Sequence, residues 1–289
     1  MSKRILLVGA ALLSLAAINL TACGNNAVDN NTLVIGMECA YQPFNWTEPK
    51  ANDFTLPING TNEFADGYDV AVAKYLAEDL NRPVVIKRIE WDDLIPSLNS
   101  GSINMVLAGM SSTAERRKTI DFTDPYLESD LAFLIKTENL PAGNSKDNPA
   151  SYQELLALFN GQNLVCQAGV VGEDIIEDYF VSAEGVSIHH NQALPTYPLA
   201  AFDVQQGTAF AMPAELPVIE AAAASLQGLS VLYCDYSFLS EGDLEGLKVN
   251  IGIKKGNDQL REDLNASLGR LSQERRSQMM GAASQRSAA

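Results

Sequence analysis

The chain has 289 residues and a formal net charge of −16; 46% of its residues are hydrophobic and 19% are charged. This composition excludes disorder over most of the length, and the length favours two lobes over one ordinary core. So acidic a chain has no broad basic surface for a phosphate backbone, which excludes a nucleic-acid partner. Two histidines and four cysteines provide little material for a zinc site, and no metal or other cofactor is expected.

Residues 1–22 have the features of a lipoprotein signal peptide. Lys3 and Arg4 precede an apolar run to Leu20, which is too short and too interrupted to span a membrane comfortably. The sequence Leu-Thr-Ala-Cys at 20–23 matches a lipobox, in which the cysteine thiol accepts a diacylglycerol. We expect lipidation of Cys23, a flexible tether over residues 23–31, and an extracytoplasmic protein anchored to the cell membrane by lipid, at the cell surface or in the periplasm.

Strand and helix patterns alternate from residue 33 onward. Short apolar runs predict strands at residues 33–37, 84–89, 105–110, 131–135, 164–167, 186–189, 209–212, 231–233 and 249–253. Helical spacing of apolar residues predicts helices at residues 72–80, 91–98, 152–158, 174–180 and 260–271. This order favours parallel sheets with helices on their faces, and residues 52–64 are predicted to form a loop inserted before the first helix.

The alternation occurs in two units, separated by a polar stretch rich in Pro, Gly, Asn and Ser at residues 141–151. The last predicted strand returns to the first unit, so the pattern predicts a two-lobed clam with its ligand bound between the lobes. The expected boundaries are residues 32–128 plus 250–289 for lobe 1, 129–249 for lobe 2, and 126–131 and 247–251 for the hinge.

The remaining cysteines and the histidines leave two questions open. Cys39, Cys166 and Cys234 are an odd number, so they form at most one disulfide, and three buried thiols are an equal alternative. His189 and His190 are adjacent on a predicted strand and therefore point to opposite faces, which favours a structural or solvent-exposed role over chelation of one ion.

Three sequence stretches in register carry a family resemblance. They are Ala-Tyr-Gln-Pro-Phe at 40–44 followed by Gly-Tyr-Asp-Val-Ala-Val-Ala at 67–73, Trp-Asp-Asp-Leu-Ile-Pro-Ser-Leu-Asn-Ser-Gly at 91–101, and Ala-Gly-Met-Ser-Ser-Thr-Ala-Glu-Arg-Arg-Lys at 108–118 followed by Asp-Phe-Thr-Asp-Pro-Tyr at 121–126. The chain thus resembles the family 3 extracellular solute-binding proteins, which are polar amino-acid receptors of ABC importers. The resemblance is specific over residues 32–136 and weaker over 160–280. It implies an α/β, periplasmic-binding-protein-like (type II) fold, each lobe being a mainly parallel sheet flanked by helices.

The resemblance also implies which residues contact the ligand. In the first lobe, Arg116 would hold the α-carboxylate in a bidentate fork, and the other positions are Glu38, Tyr41, Trp91, Gly109, Met110, Ser111 and Thr113. Tyr41 and Trp91 stand where family members carry aromatic residues around the ligand side chain, and Glu38 stands where an acid often faces its distal group.

The second lobe matches the family less well. Its expected contacts are Gln167, Val171 and Glu215, with valines at 170 and 171 where the family usually has hydroxyl side chains. Glu215 is displaced by about one residue from the aspartate that grips the ligand's α-ammonium in the family. Two aromatic residues with Glu38 and Glu215 favour arginine, lysine or histidine as the ligand, with glutamine or cystine as the alternative.

The resemblance implies a monomeric binding lipoprotein that closes around an amino acid and delivers it to an ABC permease without catalysing a reaction. Two alternatives stay open: an enzyme on the same fold, such as a dehydratase using Glu38 or Glu215 as its acid, and a sensory lipoprotein. The sequence shows no Ser/His/Asp or Cys/His pattern at a useful spacing, so no catalytic residue is expected.

Overall fold

The computed structural model describes residues 31–288; the predicted signal peptide, Cys23 and nearly all of the tether lie outside this range. Within the described range no helix is both long and apolar enough to cross a bilayer. The strands are β1 (Leu33–Met37), β2 (Ala40–Tyr41), β3 (Asn45–Glu48), β4 (Leu56–Pro57), β5 (Phe64–Asp66), β6 (Val84–Arg88), β7 (Met105–Val106), β8 (Ile120–Glu128), β9 (Leu131–Lys136), β10 (Asn163–Leu164), β11 (His189–His190), β12 (Ala211–Glu215), β13 (Leu229–Tyr233) and β14 (Lys248–Lys254).

Two five-stranded sheets form the frames of the two lobes. The first has the order β6-β1-β7-β14-β8, and the second has the order β11-β10-β12-β9-β13. In each sheet three strands pair in parallel, and the fourth strand, β14 or β9, is antiparallel to both of its neighbours. Four strands of each sheet therefore run in one direction, as a mainly parallel sheet requires.

Helices cover the sheets. They are α1 (Tyr68–Asp79), α2 (Leu94–Ser100), α3 (Ala114–Arg117), α4 (Tyr152–Phe159), α5 (Val171–Ile175), α6 (Tyr197–Gln206), α7 (Leu216–Ser225), α8 (Glu241–Glu245), α9 (Asp258–Arg270) and α10 (Gln273–Ser287), with short 3₁₀ helices at Trp91–Asp93 and Thr137–Asn139 and a π-helical segment at Ile176–Val181 after α5. Because helices cover the sheet, β1 is buried at all five positions and its apolar run is continuous rather than alternating.

The chain passes twice between the sheets, at adjacent positions. The first passage lies between β8 and β9, and the second lies just before β14, where Lys248 pairs with Glu128. These passages coincide with the predicted hinge segments 126–131 and 247–251, and motion about them stays a prediction.

Several predicted elements differ from the observed ones. The predicted loop at 52–64 is wrong in part, because it contains β4 and the first residue of β5, which join β2 and β3 in a small third sheet. The predicted strand at 105–110 pairs only over β7, because Gly109 adopts a left-handed φ of 63° and turns the chain. The strand predicted at 186–189 begins only at His189, where the backbone N–H first bonds to Gln162. The helix predicted at 174–180 instead begins with α5 at Val171 and continues as the π-helical segment.

The C-terminal segment forms α10 and is anchored by two arginines. Arg276 donates to the backbone carbonyls of Pro125, Leu268 and Leu271. Arg286 forms a bidentate ion pair with Asp66. Basic side chains thus attach this helix to β8, α9 and β5.

The cysteine question resolves in favour of buried thiols. Cys39, Cys166 and Cys234 are all free and all buried. Burial raises the pKa of each thiol to about 12, so all three are protonated and unreactive at neutral pH.

Candidate binding site between the lobes

A narrow cleft lies between the two large sheets. Its walls are formed by Glu38, Tyr41, Trp91, Gly109, Ser111, Arg116, Leu131, Gln167, Val170, Val171, Gly172, Ile175, Tyr197, Ala214, Glu215, Gly246 and Leu247. Nine of the eleven residues that the resemblance implied are in this set, and they come from both lobes. The cleft lies beyond the carboxyl ends of the parallel strands, where ligands of open α/β sheets bind.

Arg116 provides the positive charge of the cleft. Thr113 caps α3 by accepting the backbone N–H of Arg116, and this cap fixes the direction of the arginine. The guanidinium donates to the backbone carbonyls of Ser111 at 2.8 Å and Gly169 at 2.9 Å, and lies 5.1 Å from the centre of the Trp91 ring. No carboxylate among residues 31–288 forms an ion pair with it. Burial lowers the pKa of Arg116, but a guanidinium stays protonated, so this charge is available to an anionic group.

The aromatic residues Tyr41 and Trp91 have different surroundings in the cleft. The Tyr41 ring stacks on Phe44 at 5.1 Å and on Tyr197 at 4.4 Å, so other rings cover both of its faces. Its hydroxyl donates to Glu215. Trp91 lies at the other side of Arg116 and donates its indole N–H to Gly169 at 3.2 Å. Tyr41 therefore offers its hydroxyl and ring edge to the cleft, and Trp91 is left as the aromatic face next to the charge.

Glu38 and Gln167 meet across the cleft. The amide Nε2 of Gln167 donates to both oxygens of Glu38, at 3.2 and 3.3 Å, and to the carbonyl of Pro195 at 3.0 Å. The Oε1 atom of Gln167 is buried and has no partner among residues 31–288. Burial raises the pKa of Glu38 to about 7, opposed by the bond from Gln167 and reinforced by nearby Glu90 and Asp92. This end of the cleft thus presents acceptors and suits a ligand group rich in N–H donors.

Glu215 is the second acid of the cleft. It is the last residue of β12 and immediately precedes α7. Burial raises its pKa, while the hydrogen bond from Tyr41 and the charge of Arg116 oppose that rise. The one-residue displacement read from the sequence therefore does not remove this carboxylate from the cleft.

The turn before α5 confirms the loss of hydroxyl donors noted in the sequence. Val170 is the N-cap residue of α5 and makes no side-chain capping bond. Gly169 has a left-handed φ of 68°, and its backbone N–H donates to Glu173 at 2.7 Å. The Gly169 carbonyl accepts from Arg116 and Trp91, so this turn offers the cleft the apolar surface of Val170 and Val171.

Met110 and Thr113, expected at the ligand, do not line the cleft. Met110 is 1% exposed and packs in the core, and the hydroxyl of Thr113 is used as the cap of α3. Tyr197, conversely, was missed by sequence reasoning. It is the first residue of α6, and no local pattern signals that this helix would bring it against Tyr41.

A second arrangement also escaped the sequence reading. The Sγ atom of Cys166 lies 3.4 Å from Nε2 of His190, whose Nδ1 lies 2.7 Å from Glu177. Such a set resembles a nucleophile with its base and orienting acid. Cys166 is fully buried, however, and none of the three residues lines the cleft, so the contact is a packing feature of the second lobe.

Comparison with known proteins places this geometry in a family. The model of the bacterial extracellular solute-binding proteins, family 3, matches residues 33–280. The chain belongs to this family. A curated relative, the arginine-binding extracellular protein ArtP of Bacillus subtilis, is 31% identical over 143 residues, or 48% of this chain and 50% of that protein. A probable histidine-binding protein of Campylobacter jejuni is 32% identical over 139 residues, or 45% and 49% of the two chains. The chain spans about half the length of these curated relatives.

A solved structure confirms the predicted fold. The amino acid ABC transporter substrate-binding protein AbpA from Streptococcus pneumoniae, bound to L-arginine, superimposes with a TM-score of 0.70. The superposition covers 90% of this chain and 97% of that chain at 19% identity. At this identity the likeness shows the shared two-lobed α/β fold.

Proposed function

We propose that this protein is the substrate-binding lipoprotein of an ABC importer, which captures a polar amino acid in the cleft and delivers it to a membrane permease. The observation that carries the proposal is the charge arrangement of the cleft. Arg116 has no ionic partner among the described residues, and Glu38 and Glu215 supply two acids. A zwitterionic amino acid presents the complementary carboxylate and ammonium, which must be met by fixed partners once they lose water.

Arginine is the preferred ligand in this proposal, with lysine and histidine next. Its carboxylate would pair with Arg116, its α-ammonium with Glu215, and its guanidinium with the acceptors of Glu38 and Gln167. The Oε1 atom of Gln167, which has no partner among the described residues, favours a ligand group with several N–H donors over an apolar one. The names of the two curated relatives, arginine-binding and probable histidine-binding, agree with a basic ligand. Glutamine and cystine are the alternatives, because an amide or an amino group could also donate to Glu38.

Isothermal titration of the purified chain with the twenty amino acids, ornithine and cystine tests the proposal. We expect saturable binding of arginine or another basic amino acid, and a loss of at least about tenfold in affinity for Arg116→Ala, because a buried charge-assisted pair is removed. Arg117→Ala is the matched control. Its guanidinium bonds to Ser112 and does not line the cleft. Undiminished affinity in Arg116→Ala, or no binding of any amino acid at millimolar concentration, would overturn the proposal.

The proposed mechanism is hinge closure about residues 126–131 and 247–251. A ligand that touches both lobes stabilises the closed form in proportion to its differential affinity for that form. The permease would then recognise the closed form. Anchoring at Cys23 completes the proposal, and it predicts that Cys23→Ala abolishes incorporation of labelled fatty acid and releases the protein from the membrane fraction.

An enzymatic role on the same fold is the second candidate, and the pKa of Glu38 favours it. A carboxyl with a pKa near 7 is half protonated at neutral pH and suits general acid catalysis. Incubation with hydroxylated candidate substrates would yield dehydrated product if this candidate is correct, and bound but unchanged ligand if the transport proposal is correct.

A further inference from the structure

A buried hydrogen-bonded chain lies behind the cleft and includes no residue of the cleft wall except Gly109. Asp69, the second residue of α1, is fully buried at its centre. One of its oxygens accepts the hydroxyl proton of Tyr126 at 2.7 Å, and the other accepts from the amide of Asn45 at 2.7 Å. Both of these partners are fully buried as well.

Each end of this chain holds a backbone N–H of a binding segment. The side-chain oxygen of Asn45 accepts from the N–H of Cys39 at 2.7 Å, directly after Glu38. The hydroxyl oxygen of Tyr126 accepts from the N–H of Gly109 at 3.1 Å. One carboxylate is therefore connected to the segment that carries Glu38 and Tyr41 and also to the turn that leads to Ser111 and Arg116.

Both anchored residues have unusual backbone conformations. Cys39 has φ 56° and Gly109 has φ 63°, and the left-handed region is unfavourable for a residue with a Cβ atom. The two segments also touch, because a Cβ atom at position 109 would lie 2.7 Å from Cε1 of Tyr41. Unfavourable backbone conformations persist where the surrounding structure holds them in place, and the hydrogen bonds from these two backbone N–H groups provide that constraint.

We propose that Asp69 is a positioning residue of the binding site, which fixes the Glu38–Tyr41 segment and the Gly109–Arg116 segment relative to each other through Asn45 and Tyr126. This role rests on the proposed function in so far as the positioned groups are ligand contacts. It requires a carboxylate, because both oxygens must accept. A carboxamide at position 69 has one acceptor, so one buried donor of the chain is left without a partner.

The direction of the bonds provides a sharp test, namely exchange of the two central side chains. In Asp69→Asn alone, the affinity for arginine should fall by about tenfold or more, because the segments lose their common anchor. In Asn45→Asp/Asp69→Asn, the new carboxylate accepts from Cys39 N–H and from the new amide, and that amide's oxygen accepts from Tyr126. All four bonds can form again, so affinity should return to within about threefold of the wild-type value.

Hydrogen exchange gives a readout that needs no ligand. The amides of Cys39 and Gly109 should exchange at least about tenfold faster in Asp69→Asn than in the wild-type protein. Their protection should recover in Asn45→Asp/Asp69→Asn. The amides of β1 serve as internal references. Tyr68→Phe is the matched control, because it removes a buried hydrogen bond from Tyr68 to the carbonyl of Tyr126 and leaves the hydrogen bonds around Asp69 intact. It should lower the melting temperature without changing either readout.

The outcomes separate this inference from the proposed function. If the wild-type protein binds no amino acid, the proposed function fails, and the exchange rates still test the anchoring. Wild-type affinity in Asp69→Asn overturns the positioning role. So does failure of the double variant to recover exchange protection, and so does uniform acceleration of exchange in all strands, which would indicate a purely structural role.

Discussion

At the scale of single residues, the buried acid Glu38 connects stability with function. Burial raises its pKa from 4.5 to about 7, so the folded protein keeps a proton that the unfolded chain releases between these pH values. The contribution of Glu38 to stability is therefore fully present below pH 4.5 and is lost as the pH rises towards 7. A cationic ligand requires the ionised form of Glu38, and the free protein is less stable with Glu38 ionised than with Glu38 protonated.

Replacing this acid should stabilise the free protein at high pH. The introduced amide in Glu38→Gln resembles the neutral acid and can also donate to Oε1 of Gln167, which accepts from no other residue in the described range. At pH 8 the free energy of unfolding of the variant should be about 3 kcal/mol higher than that of the wild-type protein, and the difference should vanish near pH 4.5. Urea unfolding at several pH values measures this. Glu90→Gln, an exposed neighbour, should show little difference; an equal gain there would contradict the burial argument.

The affinity for arginine should change with pH in the opposite direction to stability: it should increase as the pH rises. Because arginine requires ionised Glu38, its Kd should increase by about tenfold for each pH unit below 7, while the Kd of a neutral ligand such as glutamine should change less. Titrations between pH 5.5 and 8.5 measure both slopes. The arginine slope should flatten in Glu38→Gln; if it persists unchanged, Glu215 or Asp69, whose pKa values are also raised, controls the titration instead.

At the scale of elements, the turn from β7 to α3 assembles the first-lobe half of the site. Gly109 has a left-handed φ of 63° and packs against Tyr41. Gly101, at the C-terminal end of α2, has φ 79° and open space where a Cβ would stand. Gly109→Ala and Gly101→Ala should each lose about 1–2 kcal/mol of stability from backbone strain. Only Gly109→Ala should also weaken ligand binding, by about tenfold, because it displaces Tyr41. Parallel titration and urea unfolding of both variants decide this, and equal affinities would contradict it.

The same turn shows what local sequence predicts well and where it fails. Gly109, Ser111 and Arg116 share one short segment, so their motif brings them to the cleft together. Thr113 belongs to that motif but serves as a cap, because the first turn of α3 needs an acceptor for its free N–H groups. Tyr197 reaches the cleft only through the packing of α6 against β2, a contact between lobes that no local pattern encodes.

At the scale of the whole molecule, the lobes meet through the side chains of the site. Trp91 and Arg116 both donate to Gly169, and Gln167 donates to Glu38 across the cleft. In the proposed mechanism these contacts break when a ligand enters, and binding is coupled to opening and closing of the lobes. The proposed hinge lies at the short passages at the end of β8 and the start of β14, where the chain passes between the two large sheets.

Closure should therefore be visible in the shape of the molecule and in tryptophan emission. On saturation with arginine, the radius of gyration from small-angle X-ray scattering should decrease, and the melting temperature should rise, since a ligand at about 1,000 times its Kd adds roughly 4 kcal/mol. The emission change should come from Trp91, which bridges the lobes, rather than from Trp46, which is 5% exposed within the first lobe. It should vanish in Trp91→Phe and survive in Trp46→Phe. A radius of gyration that stays constant while the ligand binds would show that the cleft fills without hinge motion.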